Sequence, residues 1–110
     1  MNIVLTRPLI DAENLMAELF KKGHKIIHVP TLSISSVNID QIQLEKYQAL
    51  IFTSANAVRN LNFVKVNKET RCFCVGIMTE KIARLKGFTN TISAGGTVNS
   101  LKNLIINSKE

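Results

Sequence analysis

Aromatic side chains and dense basic clusters are both scarce in this 110-residue chain. It contains five Phe, one Tyr and no Trp, which argues against a platform on which nucleic-acid bases stack. The formal net charge is +6, but the Lys and Arg residues are spread along the chain and form no compact nucleic-acid patch. Most of these cations are typical of solvated helix faces, although their surplus could attract an acidic ligand. We therefore expect no nucleic-acid partner.

The sequence also lacks the clusters that usually hold metals or cofactors. Cys72 and Cys74 lie two residues apart in an apolar run, a spacing typical of buried small hydrophobes rather than of a metal site or a disulfide. His24 and His28 have no cysteine or carboxylate beside them, which favours surface or hydrogen-bonded histidines over metal ligands. Neither a glycine-rich dinucleotide motif nor a P-loop is present. We expect no metal and no cofactor.

No segment has the pattern of a targeting or membrane-spanning sequence. The first residues enter a short strand directly, without the charged start and long apolar stretch of a signal peptide. No apolar run is long enough to span a bilayer, and free thiols are typical of a reducing compartment. We expect a cytoplasmic protein with no membrane partner.

Apolar runs alternate with helix-like patterns along the whole chain, which is typical of an α/β fold. Strands are predicted over residues 2–5, 24–29, 49–52, 71–75 and 89–93. Helices are predicted over residues 11–22, 55–62 and 79–86, from residue 97 or 98 onward, and as a short piece within 39–46. Continuous apolar runs are typical of buried parallel strands. We therefore predict an open parallel sheet with helices on both faces and a flavodoxin-like strand order.

The regularity of these patterns also predicts how the chain is divided. Residues 1–30 form a strand–helix–strand unit of a first lobe, and residues 49–110 form an α/β lobe. Residues 31–48 are irregular and are the candidate hinge. Alternatively, 49–110 closes with 1–30 into a single domain.

Three of the predicted strands end in small and hydroxyl-bearing residues, which together predict an anion site at the carboxyl edge of the sheet. The three ends are Thr6-Arg7-Pro8, Thr53-Ser54-Ala55-Asn56 and Val75-Gly76-Ile77-Met78-Thr79. A guanidinium such as that of Arg7 pairs with carboxylates in two parallel hydrogen bonds, although a solvated arginine would look the same. Ser54 is suited to cap a helix, Gly76 permits a tight turn and the close approach of a ligand, and Thr79 either caps a helix or donates.

In this order and spacing, the motifs resemble those of the uroporphyrinogen-III synthase family. The resemblance rests on Leu5-Thr6-Arg7-Pro8, Val29-Pro30, the block from Ile51 to Val58, Val75-Gly76-Ile77-Met78-Thr79, and Gly95-Gly96 before the last helix. The Phe-Thr-Ser-x-x-Ala-Val pattern is the most specific of these. The similarity covers nearly all of this chain but only about half of a family member, ending where a return linker would begin. Tyr47 does not match the tyrosine that the family places in its cleft.

The resemblance implies a fold, a reaction and a set of site residues. Family enzymes have two similar α/β domains with the substrate between them, and this chain would supply half of that fold. They are lyases of haem biosynthesis that cyclise hydroxymethylbilane, a polycarboxylate, with loss of water and inversion of the terminal pyrrole. By the resemblance, Thr79 is the catalytic donor to the substrate or its leaving hydroxyl. The implied substrate-binding residues are Thr6, Arg7, Thr53, Ser54, Asn56 and Gly76.

Other interpretations of the same patterns stay open. The chain could pair with a second copy by exchanging its first strand–helix–strand, could be completed by a missing second half, or could be a non-catalytic remnant. It could also be a flavodoxin-like binding or regulatory module. A phospho-receiver needs an aspartate at a strand end, where this chain has Thr6, Thr53 and Gly76. A flavin module fits poorly because Arg7-Pro8 replaces the expected phosphate loop.

Overall fold

Parallel strands and helices alternate along the chain, as the sequence predicts. A computed structural model describes residues 1–37 and 42–108. The strands are β1 (Asn2–Leu5), β2 (Lys25–His28), β3 (Ala49–Phe52), β4 (Arg71–Cys74) and β5 (Thr91–Ser93). The helices are α1 (Leu9–Lys21), α2 (Ala55–Asn60), α3 (Ile77–Leu85) and α4 (Val98–Ile106), with a 3₁₀ turn over Leu44–Lys46. None of the described helices is both long and apolar enough to cross a membrane.

The strands form two small parallel sheets. One sheet pairs β1 with β2, and the other has the order β3-β4-β5. The chain divides into two compact units, Met1–Ser35 and Ser36–Glu110, each with one of the sheets. The α/β class with parallel strands is therefore confirmed, and it is compatible with a flavodoxin-like open fold. The proposed lobe and hinge boundaries stay a prediction.

In the first unit, α1 connects β1 to β2 and covers one face of their sheet. Ile3, Leu5 and Ile26 are half-buried on that face. The helix begins after Pro8, whose carbonyl accepts a hydrogen bond from the Asp11 N–H at 3.0 Å. It ends before Gly23, which has a φ of +85°, a conformation that glycine adopts without steric cost.

In the second unit, helices cover both faces of the three-stranded sheet. Helices α2 and α3 pack on one face, where the buried core consists of Leu50, Phe52, Val58, Phe63, Val66, Cys72, Cys74, Ala83 and Phe88. Helix α4 packs against β4, and buried Leu101 belongs to this helix. Phe73 points to the face opposite Cys72 and Cys74 because side chains alternate along a strand, and it is buried too.

The observed helix starts confirm the cap at Ser54 and the start of the last helix at residue 97 or 98, and they correct the prediction for Thr79. Ser54 caps α2 by accepting a hydrogen bond from the Asn56 N–H at 3.1 Å, and Thr97 caps α4. The prediction that Thr79 caps its helix is wrong, because Gly76 is the N-cap residue and α3 begins at Ile77. The chain enters the helix directly after the strand, so Thr79 falls within the first turn. Of the predicted short helix within 39–46, residues 39–41 lie outside the described residues, and the rest holds only the 3₁₀ turn.

Candidate functional site

The ends of β3, β4 and β5 lie together at one edge of the second unit. The Val75 N–H donates to the Phe52 carbonyl at 2.9 Å, and the Ala94 N–H donates to the Cys74 carbonyl at 2.8 Å. These bonds join the residues that follow each strand to the end of the neighbouring strand. We call residues 53–54, 75–79 and 94–97 the carboxyl edge. The structure therefore brings Thr53, Ser54, Gly76 and Thr79 to one edge, as the strand pattern predicts.

The start of α3 offers backbone donors to this edge. Its first intrahelical hydrogen bond runs from the Glu80 N–H to the Gly76 carbonyl at 3.1 Å. The N–H groups of Ile77, Met78 and Thr79 come before that bond and lack an acceptor within the helix. The N-cap residue is glycine, so it has no side chain to cap them. The positive end of the helix dipole adds to the attraction of these donors for an anion.

Thr79 is a buried polar residue in this first turn. It is 5% exposed, so most of its surface is packed inside the second unit. A hydroxyl is a hydrogen-bond donor as well as an acceptor, so the Thr79 side chain can donate to a ligand oxygen that reaches it at this edge. Glu80, the neighbouring carboxylate, is engaged elsewhere, since it accepts from the Thr91 hydroxyl at 3.1 Å and pairs with Arg84.

Some polar side chains after β3 form hydrogen bonds within the protein, whereas others can still donate to a ligand. Ser54 accepts from the Asn56 N–H, but its own hydroxyl proton stays available for a ligand. Thr53 is exposed. Asn56 is half-buried, and its side-chain oxygen accepts from Arg59 Nη1 at 2.8 Å, which holds it against the helix. The assignment of these residues to substrate contacts stays a prediction.

The loop after β5 contributes a residue that sequence reasoning missed. Ser100 Oγ accepts from the Gly95 N–H at 3.0 Å and the Thr97 N–H at 3.1 Å, and it donates to the Thr97 carbonyl at 2.8 Å. The Gly96 N–H donates to the Val75 carbonyl at 2.8 Å, which fixes the loop over the end of β4. Ser100 could have been found from its place three residues after Thr97, the spacing of a capping box.

We expect replacement by alanine to have different effects on folding stability at the two glycines of this edge, Gly76 and Gly96. Gly96 has a φ of +98° with open space around the missing side chain, so Gly96→Ala should cost about 1–2 kcal/mol of folding free energy from backbone strain. Gly76 is extended, and a Cβ there would meet Gly96 Cα at 3.5 Å, an ordinary contact. Gly76→Ala is therefore the matched control, and we expect it to unfold at the same denaturant concentration as the parent or slightly above it. Equal loss in both variants would contradict this distinction.

In the first unit, Thr6 and Arg7 lie at the carboxyl edge of the β1–β2 sheet. The Thr6 carbonyl accepts from the Thr31 N–H at 3.1 Å, and the Arg7 carbonyl accepts from His28 Nε2 at 2.7 Å. Their backbone is thus fixed by the chain that follows β2, while both side chains are exposed. The guanidinium of Arg7 is therefore open to solvent at the end of its own sheet.

The two histidines form hydrogen bonds within the first unit, and the two cysteines are buried in the second unit. His24 Nδ1 accepts from the N-terminal ammonium of Met1 at 3.0 Å, whereas His28 contacts the Arg7 carbonyl. Within residues 1–37 and 42–108, no cluster of three or more His, Cys, Asp or Glu could hold a metal ion. Cys72 and Cys74 are free and buried. Burial raises the pKa of the Cys72 thiol to about 12 and that of Cys74 to about 11, with smaller contributions from Cys74 and Glu80 respectively.

Comparison with known proteins agrees with the sequence motifs. A family model described as uroporphyrinogen-III synthase HemD matches residues 13–110. The matched range includes α2, α3, the loop after β5 and therefore the whole carboxyl edge of the second unit. A comparison with curated proteins found no match.

Proposed function

Because the chain belongs to the uroporphyrinogen-III synthase family, we propose that it acts in tetrapyrrole biosynthesis by closing hydroxymethylbilane to uroporphyrinogen III. The observation that carries this proposal is the carboxyl edge of β3, β4 and β5, where backbone N–H groups and hydroxyls gather beside the uncapped start of α3. The substrate carries acetate and propionate groups, which accept hydrogen bonds from such donors. The net charge of +6 favours its approach.

The described edge supports a role in positioning rather than in strong acid–base chemistry. The N–H groups of Ile77 and Met78 would hold one substrate carboxylate, and the hydroxyls of Thr53 and Ser54 would hold another. Glu80 is engaged by Thr91 and Arg84, so it is not free to serve as a base here. Ring closure needs the two ends of a linear molecule to be held near each other, and such orientation can supply about 7–11 kcal/mol of a barrier.

We assign Thr79 to the leaving group of the proposed reaction. In the reaction the hydroxymethyl C–O bond breaks and a C–C bond forms to the terminal pyrrole, whose proton is released and balances the hydroxide that departs as water. Inversion of that pyrrole also requires its existing bond to the neighbouring methylene bridge to break and a new bond to the same bridge to form at another ring carbon. The buried Thr79 hydroxyl would donate a hydrogen bond to the departing oxygen.

Replacing Thr79 tests this role. We expect Thr79→Val to lower the rate of type III product formation about 10-fold to 100-fold, the effect of losing one hydrogen bond to a developing charge. Thr79→Ser keeps the hydroxyl and is the matched control, which should keep most of the rate. The measurement is incubation with fresh hydroxymethylbilane, followed by oxidation and separation of the porphyrin isomers. Thermal melts of both variants check that the fold is intact.

The parent chain decides the proposal itself in the same assay. An excess of the type III isomer over the spontaneous type I product supports a synthase. Type I product alone, from folded protein, would contradict catalysis by this chain and favour a non-catalytic binding module. A Thr79→Val variant as fast as the parent would contradict the role of Thr79 and leave the activity itself intact.

A further inference from the structure

Helix α3 presents mainly small residues to the core of the second unit. The residues that it buries are Thr79 and Ala83, and Ile82 is partly buried against the core. Three of its larger apolar residues are exposed, namely Ile77, Met78 and Leu85. Because apolar burial is non-directional, packing of this kind leaves the rotation of α3 on the sheet weakly defined. Directional contacts are needed to fix it.

A closed polar network joins α3 to the first residue of β5. Thr91 Oγ1 donates to Glu80 Oε2 at 3.1 Å and accepts from Arg84 Nε at 2.9 Å. Arg84 Nη2 lies 3.7 Å from Glu80 Oε2, and this ion pair closes the ring of three side chains. Hydrogen bonds weaken steeply when their angles deviate from linear. The network therefore defines which side of α3 faces β5.

Thr91 is the member of this network that is held independently of α3. It lies opposite Cys72 in the parallel pairing of β4 and β5, so the sheet fixes its backbone. The side chains of Arg84 and Glu80 are 63% and 19% exposed, and an ion pair with a solvent-exposed partner contributes little by itself. The Thr91 hydroxyl is therefore the contact through which the sheet orients the helix.

The network acts on the turn of α3 that contains Thr79. Glu80 follows Thr79 directly, and its N–H donates to the Gly76 carbonyl at 3.1 Å, the first hydrogen bond within the helix. A rotation of α3 that moved Glu80 away from Thr91 would turn the Thr79 side chain by a similar angle, because neighbouring residues share one helical backbone. The direction of the Thr79 hydroxyl at the carboxyl edge is thus tied to the Thr91 contact.

From these observations we propose that Thr91, Glu80 and Arg84 are positioning residues that fix the first turn of α3 at the carboxyl edge. They act on Thr79 through the helix, because Thr91 begins β5 whereas the carboxyl edge follows the end of that strand. The consequence for catalysis rests on the proposed function, but the link between the network and the helix does not.

Replacing Thr91 isolates the hydroxyl that joins the network. Thr91→Val keeps the branched shape that suits a strand and removes the hydroxyl, whereas Thr91→Ser retains the hydroxyl. Thr89→Val is the matched control for the same chemical change. The Thr89 hydroxyl donates to the Lys68 carbonyl at 3.3 Å, so its loss leaves the bonds between Thr91 and α3 intact.

Amide hydrogen exchange measures how firmly α3 is held in each variant. In Thr91→Val we expect the amides of residues 80–83 to exchange about 10-fold faster relative to those of β4, because loss of the network eases local opening of the helix. Thr91→Ser and Thr89→Val should keep the exchange pattern of the parent. Exchange in Thr91→Val that is unchanged in α3, or equally faster in α3 and β4, would overturn the proposal.

The isomer assay measures the consequence for the reaction. We expect Thr91→Val to lower the rate of type III formation per folded molecule about 10-fold, since a small displacement of a catalytic group is costly. Thr91→Ser should keep most of the rate. In a Thr79→Val background, Thr91→Val should change the rate less than about 2-fold, because the hydroxyl that it positions is absent. Circular dichroism gives the folded fraction of each variant.

The two measurements distinguish failure of this inference from failure of the proposed function. An active parent with an equally fast Thr91→Val variant would overturn the positioning role and support the synthase activity. Equal effects of Thr91→Val with and without the Thr79 hydroxyl would also overturn it. A parent that yields only type I product would contradict the synthase activity, and hydrogen exchange then decides by itself whether the network fixes α3.

Discussion

Phe88→Ala should lower the free energy of unfolding of the second unit by about 3–5 kcal/mol, the usual cost of emptying a buried aromatic site. Phe88 is 2% exposed, and its ring lies 5.1 Å from that of Phe63 and 6.2 Å from that of Phe52, between ring centroids. Removing it leaves a cavity between the helices and the sheet and breaks two aromatic contacts. Urea denaturation followed by circular dichroism measures the loss.

Phe20→Ala is the matched control for this substitution. Phe20 is 75% exposed, so its loss should change stability by less than about 0.5 kcal/mol, as at other surface sites. Equal effects of the two substitutions would show that the three-phenylalanine cluster is not the core of the second unit. The position of this cluster matters for function because it supports the strands whose ends form the carboxyl edge.

Alkaline pH should destabilise the protein through its two buried thiols. In the folded state, burial raises the pKa of the Cys72 thiol from 9.0 to about 12, with a smaller contribution from Cys74. Burial also raises the pKa of the Cys74 thiol from 9.0 to about 11, with a smaller contribution from Glu80. In the unfolded chain both thiols ionise near their ordinary pKa, so stability is fully present below about pH 9 and is lost as the pH rises toward 11–12. Between about pH 8 and pH 10, we expect a loss on the order of 1 kcal/mol for each thiol.

Denaturation at a series of pH values measures this loss, and a double variant isolates its source. Cys72→Ala with Cys74→Ala removes both titrating groups, so its stability should fall much less over the same pH range, although its stability at neutral pH is lower because of the cavities. The same alkaline loss in the double variant would assign it to other groups. As a second readout, both thiols should resist alkylation in the native protein and react once it is unfolded, because the thiolate is the reactive form.

Local sequence rules predict which residues lie at the ends of the strands and which hydroxyls cap the helices. The incorrect prediction also concerns a local feature, the start of a helix. A hydroxyl residue between an apolar run and a helical pattern predicts a cap at Ser54, and the structure confirms it. The same rule predicts a cap at Thr79, which is wrong because Gly76 is the N-cap residue and the helix begins earlier. A capping rule is based on side-chain chemistry alone and does not include the residue at which the preceding strand ends. Because the helix begins earlier than predicted, Thr79 lies within its first turn, where it is buried.

The sequence by itself determined the alternation of strands and helices, the parallel character of the strands and most helix ends, because apolar periodicity, hydroxyl caps and glycine act within a few residues. Only the tertiary structure decided that the strands form two separate sheets, which faces stay exposed, and that Gly96 and Ser100 shape the carboxyl edge. These features depend on pairings between residues far apart in the chain, such as the bond from Gly96 to Val75. No local pattern encodes which donor finds which acceptor across that distance.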